Sequence, residues 1–204
     1  MYVAIAGNIG SGKTTLAGLL SKHYGWKVQY EDTEDDNPYL YDFYSDMQRW
    51  SFHLQVYFLG RRFKQIVELQ KSKADVVQDR TIFEDARIFA ANLHAMQLMS
   101  DSDYTTYVDL FELMNSLIAP PDLLIYIRAS VPTLVRQIQR RGREYEEGIR
   151  LDYLKNLNDR YEDFIKSYRY PKLIIDVDEI NFSDNPKDLS EVINRVDAVI
   201  NGLF

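Results

Sequence analysis

The feature that most limits how this chain can fold is an eight-residue string between an apolar run and a helical pattern. The string fits G-x-x-x-x-G-K-[ST] and directly follows the apolar residues 2–6. It reads Gly7-Asn8-Ile9-Gly10-Ser11-Gly12-Lys13-Thr14. Its glycines allow the backbone to curl until successive N–H groups point at a bound phosphate, and the dipole of the following helix favours the negative charge. We therefore expect a strand, a phosphate-binding loop and a helix in this order.

Two side chains of this loop carry chemistry of their own. We expect Lys13 to reach the β and γ phosphates of a nucleotide, and the Thr14 hydroxyl to ligate Mg²⁺, which takes few protein ligands beside phosphate oxygens. A chance match in a glycine-rich turn is the alternative, but the strand before the string and the helix after it argue against chance. The residues assigned to nucleotide binding are Gly7, Asn8, Ile9, Gly10, Ser11, Gly12, Lys13, Thr14 and Thr15.

Short aliphatic and β-branched stretches alternate with long segments of helical periodicity along the chain. Strands are predicted at residues 2–6, 27–30, 76–78, 123–127 and 173–177. Helices are predicted at residues 13–23, 38–46, 49–72, 82–99, 104–118, 131–140, 151–168 and 186–202. Such alternation requires crossover connections, so we predict an α/β fold with a parallel sheet of about five strands flanked by helices. No repeat or linker divides the chain, which predicts one domain over residues 1–204.

Charge and composition argue against several classes of function. The 204 residues include 24 Lys and Arg against 31 Asp and Glu, whereas a nucleic-acid surface needs positive charge to displace counterions. The chain has no cysteine, and its three histidines lack metal-ligand spacing. No apolar run reaches the roughly 18 residues of a membrane helix, and the N-terminal run lacks a basic leader and a cleavage site. We expect an untargeted cytoplasmic protein that binds small molecules, without a nucleic-acid or membrane partner.

Charged residues follow two predicted strands, at the edge where parallel sheets bind ligands. Asp79 is a candidate Mg²⁺ ligand through water, and Arg80 is a candidate for steadying phosphate charge. A salt bridge at a helix N-terminus is the alternative for this pair. Glu31 closes the strand at 27–30 on the same edge and is the candidate base for a hydroxyl acceptor. Since residues 32–36 carry four more carboxylates, a solvated acidic loop is the alternative.

Four arginines cluster after the fourth predicted strand of this otherwise acidic chain. They are Arg136, Arg140, Arg141 and Arg143. The planar guanidinium can hold two phosphate oxygens at once and can stabilise charge on a migrating group. Balance of a helix C-terminal dipole is the alternative.

Together these residues resemble a known family, the deoxynucleoside kinases, which include deoxycytidine, deoxyguanosine and deoxyadenosine kinases. The similarity runs over nearly the whole chain and rests on the order and spacing of its motifs. These are the phosphate loop, Glu31, the segment from Tyr44 to Arg62, Asp79-Arg80-Thr81 with Asp85, and Arg141-Gly142-Arg143 followed by Glu146.

The resemblance implies a P-loop kinase fold with an arginine-rich lid at about residues 139–148. It implies transfer of the γ-phosphoryl group of ATP, with Mg²⁺, to the 5′-hydroxyl of a deoxynucleoside in nucleotide salvage. It also implies a homodimer. The predicted helices at 49–72 and 104–118 carry apolar residues on more than one face, which suits a second buried contact.

The resemblance assigns catalytic roles residue by residue. Glu31 matches the base that acts on the 5′-hydroxyl, and Asp79 with Arg80 matches the acidic-Arg-Ser motif, with Thr81 in place of Ser. The arginines of the lid match groups that stabilise the migrating phosphoryl group, and Arg141 is also assigned to nucleotide binding. The catalytic set is therefore Lys13, Glu31, Arg80, Arg141 and Arg143.

Substrate recognition is assigned in the same way. Tyr44 stands eleven residues before Gln55, so it matches the tyrosine at the sugar 3′-hydroxyl and Gln55 matches the glutamine that reads the base. Glu146 resembles the lid glutamate that shares the 3′-hydroxyl. Gln55 and Arg62 are seven residues apart and lie on one helix face, so Arg62 and Asp85 can meet beside the base. An ordinary surface polar residue is the alternative for each.

In this family, Arg and Asp at the positions of Arg62 and Asp85 go with kinases that accept purine deoxynucleosides or deoxycytidine. The resemblance thus points away from thymidine and towards deoxyadenosine and deoxyguanosine, with deoxycytidine as a further candidate. Many members have Glu-Pro-Val and a nearby Trp where this chain has Glu31-Asp32-Thr33 and Asp36. We therefore expect the loop around the base to differ.

Two other functions remain open from the sequence. A nucleoside monophosphate kinase of the thymidylate-kinase kind shares the phosphate loop and basic lid, but its acceptor phosphate requires extra cations, whereas Glu31, Tyr44 and Glu146 suit hydroxyls. A nucleotide-binding switch module without an acceptor is the second. A switch GTPase is disfavoured, since Asn185-Pro186-Lys187-Asp188 has the wrong spacing for the guanine-reading N-K-x-D.

Overall fold

The computed structural model describes residues 1–31, 37–72, 74–146 and 148–202, and its centre is a parallel sheet of five strands. The strands are β1 (Tyr2–Gly7), β2 (Lys27–Gln29), β3 (Val76–Asp79), β4 (Leu123–Arg128) and β5 (Lys172–Asp176). Their order across the sheet is β2-β3-β1-β4-β5. All five predicted strands are confirmed, with ends shifted by no more than one residue.

Helices cover the two faces of the sheet. They are α1 (Lys13–Tyr24), α2 (Leu40–Ser45), α3 (Met47–Lys71), α4 (Ile82–Glu84), α5 (Ala91–Ala95), α6 (Asp101–Asn115), α7 (Val131–Arg141), α8 (Leu151–Ser167) and α9 (Pro186–Ile200). A π-helical segment (Asp85–Ala90) joins α4 to α5, and a 3₁₀ turn covers Glu144–Glu146. Across the described ranges, none of these helices is long and apolar enough to span a membrane.

The prediction of one continuous helix over residues 82–99 is wrong. The chain changes to π geometry at Asp85 and leaves the helix after Ala95, and Gln97 then takes a positive φ of 58°. The prediction extended to residue 99 because Met99 is a buried apolar residue that continues the apolar pattern beyond the end of the helix. The Ser100 hydroxyl caps the next helix by accepting from the N–H of residue 103, so α6 begins at 101 rather than 104.

β1 lies at the centre of the sheet, and its small and β-branched side chains are buried on both faces, as expected for a parallel strand. Ala4 and Ala6 pack into one core cluster with side chains of α3, α6 and α8. Val3 and Ile5 point to the opposite face and pack with side chains of α1 and α9. The sheet is thus a rigid central layer that fixes the positions of the loops at its carboxyl edge.

The register of the central strands brings predicted site residues to that edge. Ile5 lies opposite Asp79, and the Arg80 N–H donates to the Ile5 carbonyl at 2.9 Å, one residue beyond β3. Glu31 lies two residues beyond Gln29, the last residue of β2, instead of directly at the strand end. Residues 32–36 of the acidic run lie outside the described part of the chain, as does residue 147 of the predicted lid.

Candidate active site

Residues 7–14 form a tight loop between β1 and α1, as the motif predicts. Gly10 and Gly12 have φ values of 82° and 96°, a left-handed conformation that residues with a Cβ rarely adopt. A Cβ on Gly10 would lie 2.8 Å from the Ile138 side chain, so this glycine also permits the approach of α7. Lys13 is buried, and its ammonium group donates to the Asn8 carbonyl at 3.1 Å. Burial and the nearby Arg80 lower the pKa of Lys13 to about 8.

The Asn8 side chain ties this loop to α8. Its amide nitrogen donates to the Leu154 carbonyl at 3.1 Å and to Asn158 Oδ1 at 3.0 Å. Its oxygen accepts from the Ile9 N–H at 2.8 Å. Asn158 also donates to the Ala129 carbonyl at 3.0 Å, just beyond β4. The shape of the loop is therefore set by side-chain hydrogen bonds as well as by its glycines.

Thr14 and Asp79 lie together at the start of α1. The Thr14 hydroxyl donates to Asp79 Oδ2 at 2.6 Å. Asp79 Oδ1 is buried and has no hydrogen-bond partner among the described residues. A hydroxyl beside a carboxylate with one uncommitted oxygen fits Mg²⁺, which takes oxygen ligands and fills its shell with phosphate oxygens and water. The described part of the chain contains no cluster of three His, Cys, Asp or Glu that could hold a metal.

Glu31 lies between two arginines. Its Oε1 atom is 2.6 Å from the NH2 atom of Arg62 and 3.1 Å from Nε of Arg80. Burial alone would raise the pKa of Glu31, but Arg80, Arg62 and Lys13 outweigh burial and lower it to about 2. The carboxylate is therefore ionised at physiological pH. Arg80 pairs with Glu31 and Asp79 bonds to Thr14, so the alternative of a simple Asp79–Arg80 salt bridge is wrong.

Gln55 and Arg62 share a buried face of α3, as their spacing predicts. Arg62 Nε donates to Asp85 Oδ2, and this pair is buried, so the alternative of ordinary surface residues is wrong. Burial raises the pKa of Asp85 to about 6, although Arg62 opposes the shift. Gln55 Oε1 is buried and has no hydrogen-bond partner within the described ranges, which leaves one acceptor for a ligand.

One cavity of about 340 Å³ is lined by most of these groups, namely Lys13, Thr14, Glu31, Gln55, Asp79, Arg80 and Asp85, whereas Arg62 is not part of the lining. Lys13 and Thr14 lie at its phosphate end, and Gln55 and Asp85 lie in the same lining. Arg80 places its guanidinium 4.3 Å from the ring centroid of Phe89, a cation–π distance. The apolar lining includes Ile9, Leu40, Phe43, Tyr44, Leu54, Phe58 and Phe89. Apolar walls with a few convergent polar atoms suit a ligand that combines an aromatic ring with polar edges.

Two of the four predicted phosphate-binding arginines face this cavity. Arg141 donates to the Glu146 carboxylate from Nε at 3.1 Å and from NH2, and Arg143 NH1 lies 3.7 Å from the same carboxylate. All three side chains line the cavity. Arg136 instead donates to Thr133 Oγ1, and Arg140 lies 3.5 Å from an aspartate, Asp184, so the cavity lining includes only the two arginines that were assigned to catalysis, Arg141 and Arg143.

The structure gathers most predicted site residues around the cavity, but not all. Ile9, Gly10, Lys13 and Thr14 of the phosphate loop belong to the lining. The side chains of Asn8 and Ser11 are buried within the fold. Thr15, by contrast, is exposed on α1.

Several residues around the site were not predicted from the sequence, among them Phe89, Tyr153 and Glu84. Phe89 lines the cavity and follows Asp85 by four residues, a helical spacing that could have identified it. Tyr153 lines the cavity from the first turn of α8, and only the tertiary fold brings it there. Glu84 lies fully buried beneath the phosphate loop, where its carboxylate accepts from the Gly7 N–H at 3.2 Å.

Residues 3–201 match the family described as Deoxynucleoside kinase. Deoxyadenosine/deoxycytidine kinase of Bacillus subtilis (strain 168) is 37% identical to this chain, over 97% of this chain and 92% of that protein. Deoxyadenosine kinase of Dictyostelium discoideum is 38% identical, over 94% of this chain and 77% of that protein. Deoxyguanosine kinase of Bacillus subtilis (strain 168) is 34% identical, over 98% of this chain and 97% of that protein.

Solved structures give the same result. A deoxyadenosine kinase from M. mycoides, solved with the products dCMP and a flexible dCDP bound, superposes with a TM-score of 0.87 at 30% identity. The alignment covers 97% of this chain and 100% of that one. The likeness confirms the predicted P-loop kinase fold, and the comparisons favour neither the monophosphate kinase nor the switch module. The chain belongs to the deoxynucleoside kinase family, whose members phosphorylate deoxynucleosides in nucleotide salvage, and this is its activity.

Proposed function

We propose that this kinase transfers the γ-phosphoryl group of ATP to the 5′-hydroxyl of purine deoxynucleosides, with deoxyadenosine preferred, and of deoxycytidine. The observation that carries the proposal is the buried Oε1 atom of Gln55, which has no hydrogen-bond partner among the described residues and lies in a cavity also lined by Asp85, the buried partner of Arg62. A ligand that leaves this oxygen unpaired would lose binding free energy, because an unsatisfied buried acceptor is costly.

The preference for deoxyadenosine follows from the hydrogen-bonding groups at this end. Gln55 Oε1 and the Asp85 carboxylate are both acceptors, and the exocyclic amine of adenine or cytosine is a donor. Guanine presents O6 to such a site and would need Arg62 as its donor, whereas thymine presents O4 and a methyl group. The names of the Bacillus subtilis deoxyadenosine/deoxycytidine kinase and the Dictyostelium deoxyadenosine kinase support this order of preference, and the deoxyguanosine kinase of Bacillus subtilis supports deoxyguanosine as a further substrate.

The phosphate loop and Lys13 would bind the phosphates of ATP at the donor end. Thr14 and Asp79 would hold Mg²⁺, which supplies charge neutralisation on the phosphate oxygens when bound. Support for a nucleoside triphosphate in this fold comes from the M. mycoides deoxyadenosine kinase, which has been solved with bound dATP. Gly7, Asn8, Gly12 and Thr15 belong to the same proposed site through the loop backbone.

Glu31 is the proposed base. The 5′-oxygen attacks the γ-phosphorus, its proton passes to the Glu31 carboxylate, and the bond from the γ-phosphorus to the bridging oxygen breaks as ADP leaves. A carboxylate with a pKa of about 2 is a weak base, but phosphoryl transfer depends mainly on alignment and charge stabilisation. Arg80, Arg141 and Arg143 would stabilise the charge of the migrating group.

Tyr44 and Glu146 would position the sugar through its 3′-hydroxyl. Both line the cavity, and Glu146 is buried with its carboxylate bonded to Arg141. A ligand hydroxyl at Glu146 would therefore contact the same carboxylate that orients a lid arginine. This arrangement would place the lid over the sugar and the transferred phosphate together.

We also infer a homodimer that pairs through α3 and α6 and works in the cytoplasm, where ATP is available. Support comes from Leu113 on α6 and Leu117 just beyond it, which are 63% and 64% exposed, unusual for large apolar side chains. Light scattering of the wild type and of Leu113→Asp tests the pairing. A dimeric wild type and a monomeric variant are expected, and a monomeric wild type would contradict the inference.

The base preference is tested by kcat/KM for the four deoxynucleosides with wild type, Gln55→Met and the exposed α3 control Gln48→Met. We expect deoxyadenosine to rank first and thymidine last in the wild type. Gln55→Met should lower kcat/KM for deoxyadenosine about 10- to 100-fold, the loss expected for one buried hydrogen bond, while the control leaves it unchanged. Thymidine used as well as deoxyadenosine, or no loss in Gln55→Met, would contradict the proposal.

A further inference from the structure

Glu84 connects three parts of the fold through one carboxylate. It is the last residue of α4 and is fully buried. Oε2 accepts from the Thr81 N–H at 2.6 Å. Oε1 accepts from the Gly7 N–H at 3.2 Å and from the Tyr161 hydroxyl at 2.8 Å. The carboxylate therefore joins the start of the phosphate loop, the turn that carries Arg80, and α8.

Helix capping explains only part of this arrangement. The Thr81 hydroxyl and the Glu84 carboxylate form a capping box at the start of α4. A capping box uses the carboxylate for the N–H of the capping residue alone. The second oxygen instead reaches Gly7 and Tyr161, each 77 positions away in the sequence. The carboxylate thus accepts three hydrogen bonds from three separate parts of the fold, of which a cap requires only one.

The backbone of Arg80 explains what these bonds hold in place. Arg80 has a φ of 72°, a left-handed conformation that residues other than glycine adopt only when their surroundings enforce it. The peptide before it is fixed because the Arg80 N–H donates to the Ile5 carbonyl at 2.9 Å. The peptide after it is fixed because the Thr81 N–H donates to Glu84. With both peptides held, the Arg80 side chain points to Glu31, 3.1 Å away.

The same carboxylate holds the donor side. Gly7 is the first residue of the phosphate loop, and its N–H bonds to the same Oε1 atom as the hydroxyl of Tyr161. Tyr161 belongs to α8, the helix that also holds Asn8 and that follows the predicted lid. Glu84 thus lies between the loop that binds the donor and the arginine proposed to act on the transferred group.

We propose that Glu84 is a positioning residue that fixes Arg80 relative to the phosphate loop. It acts through the backbone of residues 7 and 81 and does not contact substrate. Misplacement of a catalytic group by about 1 Å can lower the rate roughly a hundredfold, so the position of Arg80 relative to the phosphate loop matters for in-line phosphoryl transfer. The inference rests on the role proposed above for Arg80.

The test compares Glu84→Gln with Glu162→Gln. Glu162 is a matched control, since it also accepts from a tyrosine hydroxyl, that of Tyr126, but pairs with Arg128. Glutamine keeps the size of glutamate but turns an NH₂ group towards donors, so Glu84→Gln should misplace the turn. We expect kcat to fall about 10- to 100-fold while KM for deoxyadenosine stays within about twofold. Glu162→Gln should lower only the melting temperature.

Two further variants keep the outcome decisive. Tyr161→Phe removes one donor and keeps the ring, so it should fold and lower kcat about threefold with KM unchanged. Unchanged kcat in folded Glu84→Gln, or in Tyr161→Phe if Glu84→Gln does not fold, overturns the inference. Arg80→Ala is measured alongside. If Arg80→Ala is fully active, the proposed role of Arg80 is wrong. If Arg80→Ala loses activity but Glu84→Gln keeps the wild-type kcat, the inference about Glu84 is wrong while the role of Arg80 stands.

Discussion

The donor end and the acceptor end of the cavity are built in different ways. The donor end is one continuous loop, residues 7–14, in which left-handed glycines shape the backbone. The acceptor end consists of side chains from separate elements, and two carboxylates, Glu31 and Asp85, neutralise two arginines, Arg62 and Arg80, in the interior. The proposed phosphate site therefore depends on local chain geometry, whereas the proposed choice of acceptor depends on how distant side chains pack.

Removal of the Glu31 charge should disable the acceptor end and spare the donor end. Glu31→Gln loses the proposed proton acceptor, so kcat should fall about 10²- to 10⁴-fold. Affinity for ATP, measured by calorimetry, should stay within about threefold because the loop is built separately. Glu68→Gln on an exposed position of α3 is the control and should leave both quantities unchanged. An equal loss of ATP affinity would show that the two ends are not separate.

Breaking the buried pair should show that charge balance stabilises the acceptor end. Arg62→Met leaves Asp85 buried without its arginine, so the free energy of unfolding should fall by about 3 to 5 kcal/mol. The double variant Arg62→Met/Asp85→Ala removes both charges and should be more stable than Arg62→Met alone. Urea unfolding of the wild type, both single variants and the double variant measures the coupling. If the losses of unfolding free energy in the two single variants simply added up in the double variant, Arg62 and Asp85 would not be coupled.

A residue of the acceptor end, Asp85, should also determine how kcat/KM falls at acidic pH. The pKa of Asp85 is about 6 and that of Glu31 about 2, so kcat/KM for deoxyadenosine should fall about tenfold per pH unit below pH 6 through Asp85. Unfolding does not explain this decrease. The folded pKa of Asp85 lies above its ordinary value of 3.8, so its contribution to stability is fully present below that value and is lost as pH rises through 6. A decrease that persists in Asp85→Asn would contradict the assignment.

The donor end should respond at the opposite side of neutrality, with a smaller effect. The pKa of Lys13 is about 8, so affinity for ATP should fall as pH rises, by about fourfold at pH 8.5. Calorimetric titration of ATP from pH 7 to pH 9 measures this change. Binding of deoxyadenosine alone, over the same range, is the control and should stay constant. If both affinities fell together, the comparison between the two ends would lose its basis.

The donor end could be predicted from the sequence because its information is local. The motif, the strand before it and the helix after it gave the loop, Lys13 and Thr14 without knowledge of the fold. Four of the five strands were predictable for the same reason, since each contains a short aliphatic run, and β2 was predicted from its place after the first helix. Helix 82–99 failed because a buried Met99 extended the apolar pattern past a turn, and hydrophobic periodicity alone does not distinguish π from α geometry.

The acceptor end needed more than local pattern. The Gln55 and Arg62 face followed from helical spacing, but their match with Asp85 came from resemblance to a family. Arg136 and Arg140 were grouped with Arg141 and Arg143 because they are close in sequence, whereas the direction of each side chain around α7 decides which faces the cavity. The spacing of Thr81 and Glu84 predicts only a capping box, and Tyr153 gave no sequence signal, because the other contacts of both residues join elements far apart in the chain.

The most direct test of the central claim is ADP release by the wild-type enzyme with ATP and Mg²⁺, comparing deoxyadenosine with its 5′-monophosphate. The acceptor end carries carboxylates at Glu31, Asp85 and Glu146, which suit hydroxyl and amino groups and repel a phosphate. We predict strong ADP release with deoxyadenosine and no increase over background with the monophosphate. Release that is stimulated by the monophosphate and not by the nucleoside would contradict the assignment of a nucleoside 5′-hydroxyl as the acceptor.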